Sequence, residues 1–296
     1  MAPESVPLER IGVVGAGQMG GGIAHVCATS GLHVRLYDAR PGAAAASVAA
    51  IGSYMNKAIA KGVMDEATKA AALARIETAG SLSEMADRDL VIEAATEREA
   101  VKRAVYEALT PHLSPTCMLA SNTSSISITR LGAATDRPDR FIGLHFMNPA
   151  PKMKLIEVIR GIATGEPAFA ASMALAERLG KTVSVSEDFP AFIVNRILVP
   201  MINEAVYALH EGVGSITAID TAMRLGANHP MGPLELADFI GLDTCLSIMQ
   251  VLHEGLGDGK YRPCPLLVKY VEAGWLGRKA GRGFYDHTHT PPRPTR

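Results

Sequence analysis

Residues 141–161 place one histidine and one glutamate within two apolar, strand-like segments that are joined by a proline-containing turn. The two-residue alternation of a strand puts His145 and Glu157 each on one face of its segment, and the turn can bring the two segments side by side. A carboxylate buried alone costs several kcal/mol or changes its pKa, so Glu157 needs a partner, and His145 is the nearest suitable one. A carboxylate that orients an imidazole and stabilises its cation makes that histidine a general base. The alternatives are a structural ion pair and a Glu157 that faces solvent.

The amino-terminal segment carries the glycine pattern of a dinucleotide-binding turn. A short apolar strand runs into the turn, and a helical pattern and a second strand follow it. The turn consists of Gly15, Ala16, Gly17, Gln18, Met19 and Gly20. In this pattern Gly15 permits the tight turn, Gly17 lets the backbone approach a pyrophosphate, and Gly20 lets the helix pack on the strand. The pyrophosphate rests on the free N–H groups and positive end of the helix. A glycine-rich turn in another α/β fold is the alternative.

An acidic residue after the second strand bears on the choice of cofactor. Asp38 follows the strand predicted over 33–37. A carboxylate at this place accepts hydrogen bonds from both hydroxyls of the adenosine ribose and repels the 2′-phosphate of NADP. Arg40, two residues further on, offers a guanidinium that can pair with that phosphate. We therefore expect NAD first, NADP second and FAD third.

Four polar residues are candidates for a ligand site. Asn122 and Ser124 lie just past a buried strand and His145 lies near the end of another, where open α/β sheets bind ligands. Asn195 lies within the apolar stripe of a predicted helix, and a buried amide there needs partners, such as a substrate carbonyl. Ser124 can instead be a helix N-cap, and Asn195 a satisfied core amide.

Composition sets limits on the class of protein. The chain has 296 residues, 48% of them hydrophobic, and this length and composition are enough for one large domain or two ordinary ones. Its formal net charge is −1. The sequence contains no basic stretch of the kind that binds nucleic acid. Its start lacks the pattern of a signal peptide, and it has no apolar run long enough to predict a membrane span. The scattered cysteines match no metal spacing and predict thiols in a reducing cytoplasm. They are Cys27, Cys117, Cys245 and Cys264.

The order of elements predicts two domains. Strand and helix patterns alternate up to about residue 187, which is typical of a Rossmann-type, doubly wound parallel sheet, with the pair of strands around 145 and 157 as an antiparallel part at its far edge. Strand signals then cease, and helical spacing over 191–210, 215–225, 233–255 and 263–273 predicts an all-helical carboxyl-terminal domain. We therefore expect domains over residues 1–187 and 188–296. The first helix is apolar around much of its circumference, which fits either a subunit interface or a central helix.

These segments together resemble the 3-hydroxyacyl-CoA dehydrogenase family, in particular its single-function bacterial members. The resemblance covers almost the whole chain. Its markers are GAGQMG at 15–20, EAATE at 93–97, ASNTSSISIT at 120–129, GLHFMNPAPKMKLIEVIRG at 143–161, FIVNRILVPMINEA at 192–205, GANHPMGPLELAD at 226–238 and GWLGRKAGRGFYD at 274–286.

The resemblance implies roles for the candidate residues. His145 would be the general base and Glu157 its orienting carboxylate, while Ser124 and Asn195 hold the reacting oxygen. The residues implied to bind the cofactor are Gly15, Gly17, Gln18, Met19, Gly20, Asp38, Glu97, Lys102, Asn122, Ser124 and Lys279. Ser53 and Lys61, on the helical arm after the second strand, are the approximate candidates for contact with coenzyme A. The helical domain would form a homodimer.

The implied reaction is NAD-dependent oxidation of an (S)-3-hydroxyacyl-CoA, with 3-hydroxybutyryl-CoA as the first substrate to test. A dicarboxylyl-CoA such as 3-hydroxyadipyl-CoA is an alternative substrate, because the sequence does not define the acyl pocket. A catalytically silent NAD-binding relative is a second alternative. A dehydrogenase of free β-hydroxy acids is a third, although its chemistry uses a lysine rather than a His–Glu pair.

Overall fold

The computed structural model describes residues 8–296, which divide into two compact units, one ending at Phe189 and the other beginning at Pro190. Each unit has its own cluster of buried apolar side chains. Within the described residues no single helix is long and apolar enough to cross a membrane. The consecutive helices Pro233–Ile240 and Leu242–Leu256, bent by 98°, meet that test of length and composition only when taken together.

The first unit contains an eight-stranded sheet whose strands follow the order β3-β2-β1-β4-β5-β6-β7-β8. The strands are β1 (Arg10–Val14), β2 (His33–Tyr37), β3 (Ile76–Thr78), β4 (Leu90–Glu93), β5 (Met118–Ser121), β6 (Phe141–Phe146), β7 (Leu155–Arg160) and β8 (Thr182–Glu187). All neighbours are parallel except β6 and β7. The predicted Rossmann-type sheet is confirmed, but the antiparallel pair is not its edge. The chain returns through a helix, so β8 joins β7 in parallel and forms that edge.

Helices cover both faces of this sheet, which explains why its central strands β4, β5 and β6 are buried along their whole length. The helices of the first unit are α1 (Gln18–Thr29), α2 (Ala43–Ile59), α3 (Glu66–Leu73), α4 (Glu99–Leu109), α5 (Ile128–Gly132) and α6 (Glu166–Arg178). Ile11 and Val13 of β1, Leu36 of β2 and Ile23 of α1 are all 0% exposed and belong to one cluster. This packing holds the carboxyl ends of β1, β4, β5 and β6 side by side at one edge of the sheet.

The second unit is helical, as expected, apart from one short strand pair. Its elements are α7 (Val194–His210), α8 (Ile216–Gly226), α9 (Pro233–Ile240), α10 (Leu242–Leu256), α11 (Pro265–Glu272), β9 (Tyr285–Asp286) and β10 (Arg293–Pro294). Two predicted helices differ from the structure. The one over 233–255 is broken at Gly241, whose φ of 106° is outside the helical region. The one over 191–210 begins only at Val194, because Ala191 and Phe192 have φ values of 64° and 55°.

Candidate active site

His145 and Glu157 form a buried pair between β6 and β7. The two residues lie directly opposite each other in the antiparallel register, and the imidazole Nδ1 is 2.7 Å from Glu157 Oε2. Glu157 is 0% exposed and His145 is 5% exposed. With the carboxylate acceptor at Nδ1, the proton of the neutral ring belongs on that nitrogen, which leaves Nε2 as the basic atom.

Ser124 lies on the opposite side of the imidazole from Glu157. Its Oγ atom is 3.0 Å from Nε2 of His145, and it comes from the loop that follows β5. Asn122, in the same loop, has its Oδ1 atom 2.9 Å from the backbone N–H of Phe146, which donates to it. Asn122 thus ties the end of β5 to the end of β6 and fixes the loop next to the histidine. Serine, histidine and glutamate form one hydrogen-bonded line.

Glu97 and Lys102, both expected near the cofactor, lie behind this loop. Glu97 Oε1 accepts a hydrogen bond of 2.8 Å from the backbone N–H of Ser124. The Nζ atom of Lys102, on α4, is 2.9 and 2.8 Å from the two carboxylate oxygens of Glu93 and 3.7 Å from Glu97 Oε2. The side chains of Lys102 and Glu93 are 1% and 0% exposed. Lys102 therefore directs its charge to the two glutamates within the first unit.

The glycine-rich turn has the shape that a pyrophosphate requires. Gly15 has a φ of 104°, and a Cβ atom on it would lie 2.6 Å from the carbonyl oxygen of Ala94. A Cβ atom on Gly20 would clash with the carbonyl oxygen of Gly15, whereas one on Gly17 meets nothing within 4 Å. Gly17 also precedes α1, whose start receives no side-chain cap from the described residues. Open N–H groups at a helix start beside a bare backbone suit a dinucleotide, so the residues present fit NAD.

Asp38 and Arg40 lie together beside the glycine-rich turn. Asp38 accepts hydrogen bonds from the N–H of Ala16 at 2.8 Å and from the N–H and Nε–H of Arg40 at 2.9 and 3.0 Å. The hydrogen bond from the Arg40 side chain is the largest cause that lowers the Asp38 pKa, to about 2. The carboxylate is therefore ionised at neutral pH. Its guanidinium partner is held next to the position expected for the adenosine ribose.

The segment after His145 is held from two sides, by the glycine-rich turn and by the residue that precedes β8. The Nε2 atom of Gln18 donates to Asn148 Oδ1 at 3.1 Å. The Nζ atom of Lys181 donates to the carbonyl oxygens of Ala150 and Met153, both at 2.7 Å. Met19, beside Gln18, is half-buried and packs on the core. The Gln18–Asn148 bond places the turn that follows β6 against the dinucleotide turn, so the base and the expected cofactor site are neighbours.

A cavity of about 440 Å³ lies between α1, α2 and Pro149 and Pro151. His25 lines this cavity. The sequence analysis missed it, because a lone histidine on a helix forms no motif that indicates a site. His25 is 6% exposed and meets the ring of Tyr54 edge to face, with 5.3 Å between centroids. Burial lowers the pKa of His25 to about 4, so its imidazole is neutral at physiological pH.

Ser53 and Lys61, the candidates for contact with coenzyme A, are both exposed. Ser53 lies within α2 and donates to the carbonyl oxygen of Ala49 in its own helix, at 3.1 Å. Lys61 lies just after the end of that helix. The structure does not bring either residue to His145, and their role stays a prediction.

Asn195 and Lys279, the other two predicted residues, belong to the second unit. Asn195 is the second residue of α7. We expected its amide to be buried within the apolar stripe of the helix, but the residue is only half-buried. It follows Ala191 and Phe192, whose left-handed backbone is uncommon for residues with side chains. Lys279 is exposed, and its Nζ atom is 2.7 Å from Asp243 Oδ2. Their part in a site stays a prediction.

No cluster of three or more potential metal ligands occurs within residues 8–296.

Comparisons with known proteins give a consistent result. Residues 10–189 match the family model described as 3-hydroxyacyl-CoA dehydrogenase, NAD binding domain, and residues 192–287 match the carboxyl-terminal domain of the same family. A 3-hydroxybutyryl-CoA dehydrogenase of Bradyrhizobium diazoefficiens is 63% identical over 98% of this chain and 99% of its own length. A probable 3-hydroxybutyryl-CoA dehydrogenase of Bacillus subtilis is 55% identical over 95% and 98%.

Among solved structures, the crystal structure of an (S)-3-hydroxybutyryl-CoA dehydrogenase from Ralstonia eutropha is similar with a TM-score of 0.93. It is 48% identical in sequence, and the match covers 95% of this chain and 100% of that one.

Proposed function

The chain belongs to the 3-hydroxyacyl-CoA dehydrogenase family, and we propose that it interconverts (S)-3-hydroxybutyryl-CoA and acetoacetyl-CoA with His145 as the general base. The reaction class and the cofactor NAD follow from membership of the family. The four-carbon substrate is suggested by the names of the relatives. The observation that supports the role of His145 most directly is the line of Ser124, His145 and Glu157 beside the dinucleotide turn.

The proposed chemistry separates one proton and one hydride. Neutral His145 accepts the proton of the 3-hydroxyl at Nε2, and the buried Glu157 carboxylate stabilises the imidazolium that forms. The Ser124 hydroxyl, which reaches the same nitrogen, holds the substrate oxygen in line with it. NAD, held by the glycine-rich turn and Asp38, would supply the acceptor for the hydride that leaves C3. In the reverse direction the imidazolium returns its proton to the forming alkoxide, so atoms and charges balance both ways.

The same three side chains are also the parts of a nucleophilic serine site, and a second feature of the loop argues against that chemistry. Acyl transfer needs backbone N–H groups near the serine to stabilise an oxyanion. The N–H groups of Ser124 and Ser125 are instead bound to the Glu97 carboxylate, at 2.8 and 3.0 Å. A negative carboxylate at that position disfavours an oxyanion, so Ser124 fits an orienting role and not a nucleophilic one.

We also propose that the helical unit forms a homodimer and that the enzyme acts in the cytoplasm. The helical unit exposes large apolar side chains: Ile197 on α7 is 67% exposed, Leu225 is 82% exposed and Phe239 is 53% exposed. A second copy of the chain is the simplest cover for such a surface. All four cysteines are free and buried, which suits a reducing compartment. Light scattering of the purified chain tests the dimer.

The experiment that tests the function is NADH oxidation with acetoacetyl-CoA. Parallel reactions with NADPH and with free acetoacetate serve as controls for the cofactor and for the thioester. We expect turnover with NADH and the thioester, and little or none with the free acid. Turnover of longer or dicarboxylic 3-oxoacyl-CoA at the expense of acetoacetyl-CoA would replace the proposed substrate, and no turnover with any thioester would overturn the proposal.

A further inference from the structure

We infer that Glu97 is a positioning residue, which sets the Ser124 hydroxyl against His145 through the backbone of the loop after β5. This inference rests on the proposed function, because it assigns Glu97 a part in the same site. It differs from a direct contact with the cofactor, the role that the family resemblance implies for Glu97. The test must therefore separate an effect on the reacting groups from an effect on NAD affinity.

The Glu97 carboxylate is bound by three consecutive residues of this loop. Its Oε1 atom accepts hydrogen bonds from Thr123 Oγ1 at 2.6 Å, Ser124 N at 2.8 Å, Ser125 N at 3.0 Å and Ser125 Oγ at 3.1 Å. Successive N–H groups that point to one anion form a backbone nest, and hydrogen bonds to an ionised acceptor are about twice as strong as neutral ones. This carboxylate therefore holds the middle of the loop, from Thr123 to Ser125.

The position of Ser124 follows directly from this arrangement. Its N–H is bound to Glu97, and its Oγ lies two bonds beyond the Cα, 3.0 Å from Nε2 of His145. On the other side, Asn122 holds the start of the loop to Phe146. Asn122 and Glu97 thus hold the loop on both sides of Ser124. They keep its hydroxyl within hydrogen-bond distance of His145.

Glu97 lies next to the buried ion pair of Lys102 and Glu93. Lys102 Nζ is 3.7 Å from Glu97 Oε2 and within 2.9 Å of Glu93. Glu93 accepts hydrogen bonds from the N–H of Ala95 at 2.7 Å and from Ser121 Oγ at 2.9 Å. This cluster joins the ends of β4 and β5 to α4, so it determines where the segment that carries Glu97 leaves the sheet.

The variant Glu97→Gln keeps the size of the side chain and removes its charge. We expect kcat to fall about 10- to 100-fold, because a misplacement of about 1 Å near the reacting atoms can cost about 100-fold in rate. We expect the dissociation constant of NADH, measured by fluorescence, to change less than about twofold. The matched control is Glu99→Gln: Glu99 lies two residues further on, is similarly exposed, and pairs with Arg130 and Arg103 instead of the loop. This control should keep wild-type kinetics.

Combination with Ser124→Ala distinguishes positioning from general structural damage. If Glu97 acts through Ser124, the change Glu97→Gln should reduce kcat less than about threefold in the Ser124→Ala background. A full 10- to 100-fold further loss there would overturn the inference. A large rise in the NADH dissociation constant with kcat intact would also overturn it and assign Glu97 to the cofactor. Should Glu97→Gln not fold, Glu97→Asp withdraws the carboxylate by one methylene and gives the same test.

A readout without substrate keeps this test independent of the proposed function. In protein labelled with ¹³C-histidine, the ring signal of His145 is identified by its loss in His145→Gln. Glu97→Gln should move that signal in the same direction as Ser124→Ala does, whereas Glu99→Gln should leave it in place. An unmoved signal would contradict the inference even in an active enzyme. Failure of the wild-type chain to reduce acetoacetyl-CoA would contradict the proposed function and leave this measurement valid.

Discussion

Glu157 lies directly opposite His145 in the β6–β7 pair, with 2.7 Å between Oε2 and Nδ1, and no part of its side chain is exposed to solvent. A carboxylate this deeply buried is stable as an anion only while a donor or a cation faces it. The pair thus gives the imidazole a fixed tautomer and a partner for its positive charge, the two properties that a general base requires.

Removal of the imidazole tests the base. We expect His145→Gln to lower kcat about 10²- to 10⁴-fold, the usual contribution of general acid–base catalysis, while the NADH dissociation constant stays near the wild-type value. Steady-state kinetics in the direction of acetoacetyl-CoA reduction and a fluorescence titration with NADH provide both numbers. Near-native kcat in this variant would mean that another group takes the proton.

Neutralisation of the carboxylate tests its role as the partner of the base. Glu157→Gln keeps the side-chain volume but offers His145 Nδ1 an uncharged amide in place of an anion. We expect a loss in kcat comparable to that of His145→Gln, because the imidazole is then less basic and less firmly oriented. The pH–rate profile of the variant should differ from that of the wild type. Equal activity at every pH would identify the pair as purely structural.

The ion pair of Asp38 and Arg40 makes cofactor choice testable by substitution. The wild-type chain should have a higher kcat/KM with NAD than with NADP, since the Asp38 carboxylate repels a 2′-phosphate. Asp38→Ser removes this repulsion and releases the Arg40 guanidinium, so the NAD-to-NADP ratio of kcat/KM should fall by about tenfold or more, the value of one hydrogen bond to a charged group. The double variant with Arg40→Ala is the control and should lose the gain with NADP. A ratio unchanged in Asp38→Ser would remove Asp38 as the determinant.

Much of the first unit was predictable from sequence because its strands are buried on both faces and bounded by glycines and polar residues. The His145–Glu157 contact followed from strand periodicity and from the need of a buried acid for a partner. The break at Gly241 did not, because apolar spacing continues across it while only the backbone angle changes. Likewise, the edge position of β8 depends on the helix that precedes it and not on its own residues.

The contacts of the charged residues behind the site were beyond sequence reasoning. Glu93 ends an apolar strand and Lys102 lies on a helix nine residues later, and no periodicity shows that their side chains meet. The same holds for Glu97, whose partners are backbone N–H groups more than 25 residues away along the chain. Such bonds depend on the crossing of several elements, which is a property of the fold and not of any local pattern.

The buried pair of Lys102 and Glu93 should behave as one unit in stability. Lys102→Met leaves the Glu93 carboxylate buried without its cation, and removal of one partner of such a pair typically costs about 3–5 kcal/mol. The double variant Glu93→Gln/Lys102→Met removes both charges and should recover a large part of that loss. Urea denaturation of the wild type, the single variants Lys102→Met and Glu93→Gln, and the double variant measures this coupling. Simple additivity of the two substitutions would show that the ion pair is not coupled.

His25 should make the stability of the chain depend on pH. Burial lowers its pKa in the folded state from 6.5 to about 4, so below pH 6.5 the unfolded chain binds a proton that the folded chain excludes. The resulting loss of stability grows as the pH falls from 6.5 towards 4 and amounts to about 2 kcal/mol at about pH 5. Tyr54 contacts the ring, and the positive charge of Lys181 lowers the His25 pKa in the same direction as burial.

The variant His25→Phe tests this pH dependence, because it keeps a ring of similar size without a titrating group. The free energy of unfolding of this variant, measured with urea at about pH 7.5 and about pH 5, should fall less than that of the wild type by that amount. An equal fall in both proteins would show that His25 accepts its proton as readily in the folded state as in the unfolded one.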